Sequence, residues 1–123
     1  MNTIDQIADA AHANAISKGF HANLGDRTKD GDFIKDSVCL LHEEVTELFS
    51  AYRSGNFNKP CDKADKMIQL GLTPLTCAEE EYADIVIRVL DQCRRLGIDI
   101  QKAIEVKHAY NTTRPHMHGG KLL

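Results

Sequence analysis

The apolar residues between positions 33 and 54 recur every three or four residues, and this spacing constrains the fold more than any other feature of the chain. Because an α-helix has 3.6 residues per turn, side chains at this spacing share one face. We therefore predict an amphipathic helix over residues 33–54, with Asp32 as its N-cap and an end before Gly55. The residues of the stripe are Ile34, Val38, Leu41, Val45, Leu48 and Tyr52.

The same spacing predicts three further principal helices, and no stretch of the chain alternates as a strand would. The first covers about residues 3–18. The next is expected from the capping box at Thr76 to Gly97. The last is expected from an N-cap at Asp99 to about Thr113, with Ile100, Ala103, Ile104 and Tyr110 facing inward. Residues 23–32 are expected to form a loop, and residues 55–76 a longer connection that admits a short helix near 62–70. The predicted fold is all-α: a single domain over residues 1–123, resembling a four-helix bundle.

Composition and net charge exclude some classes of binding partner. The net charge is −3, without the basic surplus typical of proteins that bind a nucleic-acid polymer. The longest apolar run, near residues 85–90, is far shorter than the roughly 20 residues of a membrane span. Residues 1–5 lack the basic start and apolar core of a secretion signal. We therefore expect a cytoplasmic protein without membrane association. At this size, oligomerisation would be a natural source of additional core.

The four cysteines are spread along the chain without a Cys-x-x-Cys pair. Without a secretion signal they are expected to be reduced thiols that serve as small core residues. Structural zinc usually draws on closely spaced ligand pairs, so a zinc site is not expected. The residues are Cys39, Cys61, Cys77 and Cys93.

Two pairs of carboxylates carry the chemistry of this sequence. Glu44 and Glu47 lie about 60° apart on the second predicted helix, and Glu81 and Asp84 have the same separation on the third. Either pair alone is commonplace on a solvated surface. If the two helices are antiparallel neighbours, however, all four carboxylates can form one cluster that needs a hard divalent cation such as Mg²⁺ or Mn²⁺. Two separately solvated acidic edges remain the alternative.

A di-iron centre is the other metal site that a helical carboxylate bundle can hold. That design requires Glu-x-x-His on two of the helices. In this chain Glu44 is followed at that offset by Glu47, and Glu81 by Asp84. An all-oxygen ligand set favours magnesium over iron.

The last predicted helix carries basic and amide side chains that suit phosphates. Lys107, Asn111 and Arg114 follow one another at i, i+4 and i+7, and residues 116–121 add Gly119 and Gly120. Such groups can neutralise and approach phosphate oxygens. The simpler explanation is that basic residues favour helix C-termini. Beside four metal-binding carboxylates, we prefer a polyphosphate clamp.

Three further side chains are weaker candidates for ligand contacts. His12 and His21 could stack on a base or donate hydrogen bonds to it. Arg88 lies one turn beyond Asp84, where it could contact phosphate or form an ion pair with Asp84 or Glu81.

Together these motifs resemble those of the MazG-like nucleoside triphosphate pyrophosphohydrolases. The likeness covers nearly the whole chain. Its three parts are Glu43-Glu44-Val45-Thr46-Glu47 followed by Glu81-Tyr82-Ala83-Asp84, the ending from Lys107 through Asn111 and Arg114 to His118-Gly119-Gly120-Lys121, and the early stretch from Ala11 to Phe20.

The resemblance implies an enzyme that cleaves nucleoside triphosphates between the α- and β-phosphates, with a dimer or tetramer as its assembly. It implies Glu44, Glu47, Glu81 and Asp84 as ligands of Mg²⁺, with Mn²⁺ as a possible substitute. Glu47, or alternatively Glu44, would activate the attacking water. The remaining residues implied to contact substrate are Lys107, Asn111, Arg114 and Lys121 at phosphate or sugar, and His12 and His21 near the base.

Two alternatives stay open at this point. One is a related all-α pyrophosphatase with a dedicated substrate, such as phosphoribosyl-ATP, dUTP or dCTP, or an enzyme of phage deoxynucleotide supply. The other belongs to a different class: a helical interaction module that binds no nucleotide.

Overall fold

The computed structural model describes residues 2–22 and 31–115, and in these ranges the chain is helical without a β-strand. The all-α prediction is therefore confirmed. No helix in the described ranges is long and apolar enough to cross a membrane. The helices are α1 (Ile4–Ser17), α2 (Gly31–Arg53), α3 (Ala64–Gln69), α4 (Cys77–Arg95) and α5 (Ile100–Thr112).

Helix α4 is the centre of the packing. Both α1 and α2 lie against it along much of their length, whereas α5 packs mainly on α1 and over a smaller area. The four principal helices and the short helix in the connection match the prediction. Residues 23–30, most of the predicted loop, lie outside the described ranges.

Local hydrogen bonds place the helix ends. Thr76 Oγ1 accepts from the Glu79 amide at 3.2 Å, and the Thr76 amide donates to Glu79 Oε1 at 3.0 Å, which is the predicted capping box. Asp99 accepts from the Lys102 amide and caps α5, also as predicted. The prediction of Asp32 as an N-cap is wrong. Because α2 already begins at Gly31, Asp32 lies in its first turn.

The long connection is tied to the start of α4 by backbone hydrogen bonds. The Cys61 amide donates to the Leu75 carbonyl at 3.0 Å, and the Cys77 amide donates to the Lys59 carbonyl at 2.9 Å. Cys61 is also buried. The connection therefore has a defined position beside the first turns of α4.

The face of α2 that packs on α4 is not the centre of the predicted apolar stripe. Its buried residues are Ser37 and Glu44, whereas Val45 is 49% exposed and Tyr52 66% exposed. On the helix, Val45 is rotated about 100° from Glu44. The described part of one chain therefore covers this stripe only partly.

Helix α5 shows the same departure from the prediction. We expected Ile100, Ala103, Ile104 and Tyr110 to face inward, but α5 contains no buried residue. Ile104 is 44% exposed and Tyr110 57% exposed. An amphipathic pattern identifies the apolar face of a helix but not what covers that face.

Replacing Thr76 by Ala tests the capping box. The substitution removes the side-chain acceptor of the Glu79 amide, so we expect it to lower the free energy of unfolding by about 1 kcal/mol. Thr46→Ala is the matched control, because Thr46 donates to the His42 carbonyl within α2 and caps no helix. Urea denaturation of both variants measures the difference. Equal stability of the two would contradict the assigned cap.

Candidate functional site

Helices α2 and α4 bring three of the four predicted metal ligands together. Glu44 on α2 and Glu81 and Asp84 on α4 each offer a carboxylate oxygen, and these oxygens lie within 4.8 Å of one another. We call these three residues the acidic cluster. Glu47, one turn along α2 from Glu44, lies beside the cluster but outside this group of close oxygens. The prediction that the two acidic pairs converge is thus met by the geometry for three residues.

The carboxylates of this region disturb one another's ionisation. Partial burial raises the pKa of Glu81, and repulsion from Glu47 and Glu80 raises it further. Partial burial likewise raises the pKa of Asp84, to which Glu44 adds repulsion. Both shifts mean that the ionised form is disfavoured in the fold. Negative charge is therefore in excess at the acidic cluster.

The pKa of Glu47 is also raised, although its side chain is exposed. The largest cause of the raised pKa is loss of hydration. Charge repulsion from Glu44 and a hydrogen bond with Glu44 raise it further. Arg88 opposes this shift by its positive charge. A carboxylate of this kind holds a proton more readily than an ordinary glutamate does.

One carboxylate oxygen of the cluster has no donor in the described part of the chain. Glu81 Oε2 is buried, and none of the described residues donates a hydrogen bond to it. A buried anionic oxygen without a partner carries a large desolvation cost. Together with the excess of negative charge, this oxygen suits a hard divalent cation. Mg²⁺ or Mn²⁺ therefore fits the donor set of the acidic cluster.

Two cationic side chains flank the acidic cluster. Arg88 Nε donates to Glu44 Oε1 at 2.6 Å. Arg88 therefore pairs with Glu44. The partners predicted for its ion pair were Asp84 or Glu81. Lys63, from the connection just before α3, pairs with Glu80 on α4. Sequence reasoning missed Lys63, and the length of the connection between the two acidic motifs was the only signal for it.

A cavity of about 300 Å³ extends from the acidic cluster between α1, α2 and α4. Glu44 and Asp84 line it, and so does Asp91, which lies seven residues after Asp84 on α4, or about 10 Å by helical rise. Its walls are a mixture of apolar and polar side chains. The other lining residues are Ala11, Asn14, Ala15, Phe20, His21, Phe33, Ser37, Leu40, Ile87, Arg88 and Gln92.

A hydrogen-bonded network occupies the Asp91 region. His12 Nδ1 lies 2.7 Å from Asp91 Oδ1, and His21 Nε2 lies 2.7 Å from both Asp91 oxygens. Arg95 Nη1 lies 3.2 Å from His21 Nδ1, and the Arg95 guanidinium stacks 4.1 Å from the centre of the Phe33 ring. The structure thus brings His12 and His21 together at Asp91, and His21 lines the cavity.

Sequence reasoning missed Asp91 and Arg95. Both follow Asp84 at helical spacing, at i+7 and i+11, so they lie along the side of α4 that carries the acidic pair. That spacing was the available signal. The partners of Asp91 on α1 and beyond are 70 or more residues distant in sequence, and no local pattern indicates them.

The His12, His21 and Asp91 atoms are also close enough together to hold a metal ion. The contact with Arg95 argues against it. A guanidinium can only donate, so His21 Nδ1 accepts and the neutral ring carries its proton on Nε2. A metal would need the lone pair of that same Nε2. We therefore interpret this group as a hydrogen-bonded network that holds His21 and Asp91 in place.

The predicted phosphate clamp is not assembled at the cavity. Lys107, Asn111 and Arg114 are exposed, and no α5 residue is among the described residues that line the cavity. The Lys107 ammonium instead lies 4.9 Å from the centre of the Tyr110 ring on the same helix. Lys121 lies outside the described ranges.

Replacing Glu81 by Gln in metal-free protein tests the excess charge. The pKa of Glu81 is raised above its usual 4.5, so the group favours folding at acid pH and loses that contribution as pH rises through the raised value. In a chelator, E81Q should therefore melt at a higher temperature than the unaltered protein at neutral pH, with a smaller difference near pH 4.5. Glu105→Gln, on exposed α5, is the control. A lower melting temperature for E81Q in chelator would contradict the charge excess.

Comparison with known proteins provides no relative for the chain. No protein-family model, no curated protein and no solved structure matches it. The geometry of the acidic cluster and the cavity, together with the motif resemblance, is therefore the basis for a function.

Proposed function

We propose that the chain is a magnesium-dependent pyrophosphohydrolase that converts ribo- or deoxyribonucleoside triphosphates to the monophosphate and pyrophosphate. The observation that carries this proposal is the acidic cluster. Its buried Glu81 Oε2 has no hydrogen-bond donor among the described residues, and its Glu44 and Asp84 line a cavity of about 300 Å³. The resemblance to MazG-like enzymes supports the choice of the α–β phosphate bond.

The cavity has the character of a small-molecule site. Its volume lies at the lower end of the range for such sites, and it combines apolar walls with a few polar groups. Phe20, Phe33 and Leu40 offer surfaces for a base or sugar, while Glu44 and Asp84 mark the region for the phosphates. This polarity suits a nucleotide, which is apolar and planar at one end and multiply charged at the other.

Glu44, Glu81 and Asp84 would hold the cation. When bound, Mg²⁺ neutralises phosphate charge and lowers the pKa of a water molecule. Mn²⁺ has the same preference for oxygen ligands and is expected to substitute.

Glu47 is the candidate general base. It lies beside the acidic cluster without belonging to its group of close oxygens, and its pKa is raised. Its carboxylate can therefore orient the attacking water and accept its proton. Glu44, the alternative, is one of the three carboxylates that would hold the cation, which favours Glu47 for this role.

Other predicted contacts stay part of the proposal. His21 lines the cavity, and His12 contacts Asp91, which also lines it, so both remain candidates for binding or positioning a base. Lys107, Asn111, Arg114 and Lys121 remain candidates for the charge of the leaving pyrophosphate. None of the first three is among the described residues that line the cavity.

The alternative enzyme function is that of a related pyrophosphatase with a dedicated substrate, such as phosphoribosyl-ATP, dUTP or dCTP, which would use the same acidic cluster and cavity. The interaction-module alternative rests on the exposed apolar side chains of α2, α4 and α5, among them Phe49 and Val86. We propose that these side chains serve self-association of the enzyme.

Glu47→Gln and Asp84→Asn test the catalytic proposal. E47Q removes the proton acceptor and D84N a metal ligand, so each should lower turnover by at least about a hundredfold while the protein stays folded. Pyrophosphate and nucleoside monophosphate release, measured with magnesium over a panel of triphosphates, gives the rate and the base preference. Glu105→Gln, on exposed α5, should retain the activity of the unaltered chain. Full activity of E47Q and D84N would refute the site.

Light scattering after size-exclusion chromatography tests self-association. We expect the mass of a dimer or tetramer, because the apolar stripe of α2 is left half exposed in one chain. Replacing Phe49 and Val86 together by Glu should shift the mass toward that of one chain. The matched control replaces Glu105 by Lys on exposed α5. A monomer at every concentration would contradict the proposal.

A further inference from the structure

Arg88 occupies a position between the acidic cluster and the cavity. Its Nε donates to Glu44 Oε1 at 2.6 Å, and its side chain also lines the cavity. The carboxylate partner is 11% exposed, whereas the Arg88 side chain is 43% exposed. A charged side chain that reaches from a buried carboxylate toward open space can exchange partners with little change in packing.

The polyphosphate end of a nucleotide needs a cation on this surface. Of the described residues that line the cavity, Arg88 is the only lysine or arginine, while Glu44, Asp84 and Asp91 contribute carboxylates. Three carboxylates repel a triphosphate strongly. The Arg88 guanidinium, which now donates to Glu44, has the planar set of five N–H donors that also suits phosphate oxygens.

Arg88 and a divalent cation would compete for the Glu44 carboxylate. Both are positively charged, and both need the lone pairs of the same carboxylate, so each weakens the binding of the other. Lys63 does not have this conflict, because its partner Glu80 is outside the acidic cluster and Lys63 does not line the cavity.

We propose that Arg88 competes with the metal for Glu44 in the empty site and binds the polyphosphate once the metal has displaced it. The inference rests on the proposed function and deepens it by coupling metal binding to nucleotide binding. Without metal, Arg88 stays on Glu44, and the carboxylates face the cavity with their repulsion toward phosphate largely intact. With metal, the guanidinium is released as a phosphate donor.

The coupling predicts that removing Arg88 shifts two affinities in opposite directions. In Arg88→Gln, Mn²⁺ should bind at least about fivefold more tightly in the absence of nucleotide, because a competing positive charge is gone. A non-hydrolysable triphosphate analogue at saturating Mg²⁺ should bind about tenfold more weakly, because a charge-assisted hydrogen bond is lost. Arg88→Lys, which keeps the charge, should lie between R88Q and the unaltered chain in both measurements.

Electron paramagnetic resonance of free Mn²⁺ gives the first affinity, and calorimetric titration of the analogue gives the second. Arg94→Gln is the matched control. It removes the same charge from the same helix, but its partners are Asp5 and Asp9 on α1, at 2.6 and 2.7 Å, away from the acidic cluster. Neither affinity should change in R94Q. Thermal melting identifies any variant that fails to fold, in which case R88K decides.

The outcomes separate this inference from the proposed function. Unchanged or weaker Mn²⁺ binding by R88Q, or a joint weakening of both affinities, would overturn the role of Arg88 while leaving turnover by the unaltered enzyme intact. Failure of the unaltered chain to bind Mn²⁺ would overturn both proposals. Tighter Mn²⁺ binding in R88Q, without analogue binding by any form, would support the competition and refute the nucleotide function.

Discussion

The packing of Glu44 against α4, between Arg88 and the acidic side chains of that helix, is the constraint on which the rest of the structure depends. An apolar side chain at this position would be the simpler choice for a helix interface. A buried carboxylate near Glu81 and Asp84 instead needs positive charge, and Arg88 supplies part of it at 2.6 Å. The remaining excess is evident in the raised pKa values of Glu81 and Asp84. This interface therefore has the properties of a binding site at the expense of simple hydrophobic packing.

The helices could be predicted because their causes are local. The capping box of Thr76 with Glu79 and the cap at Asp99 involve residues three apart, and both were readable from the sequence. The face of α2 that packs on α4 could not be predicted from the sequence. A stripe of apolar residues indicates which side of a helix avoids water, but Val45 at 49% exposure shows that the described part of this chain does not fully cover that side. Which element covers an apolar face is a tertiary or quaternary property, and sequence periodicity contains no information about it.

The candidate site likewise has a part that local sequence patterns predicted and a part that they did not. The spacing of Glu44 with Glu47 and of Glu81 with Asp84 indicated that each pair shares a side of its helix, and the structure brings three of these four carboxylates together. The partners of these groups come from distant sequence positions. Arg88 meets Glu44 across 44 residues, and His21 meets Asp91 across 70. No local rule pairs such residues. The basic ending shows the converse, since Lys107, Asn111 and Arg114 have a spacing that suits phosphate and yet lie away from the cavity in one chain.

Helix α4 carries two polar regions that differ in how completely their polar groups are hydrogen-bonded. This difference affects how each region would recognise a ligand. Near Asp91, two imidazoles contact the carboxylate, and Arg95 sets the tautomer of His21, so the groups are held before a ligand arrives. Near Asp84, Glu81 Oε2 lacks a donor in the described part of the chain. A preorganised region favours selection by shape and hydrogen bonding, whereas an unsatisfied anionic region favours binding of a cation. One cavity between them therefore suits a ligand that is neutral at one end and metal-bound at the other.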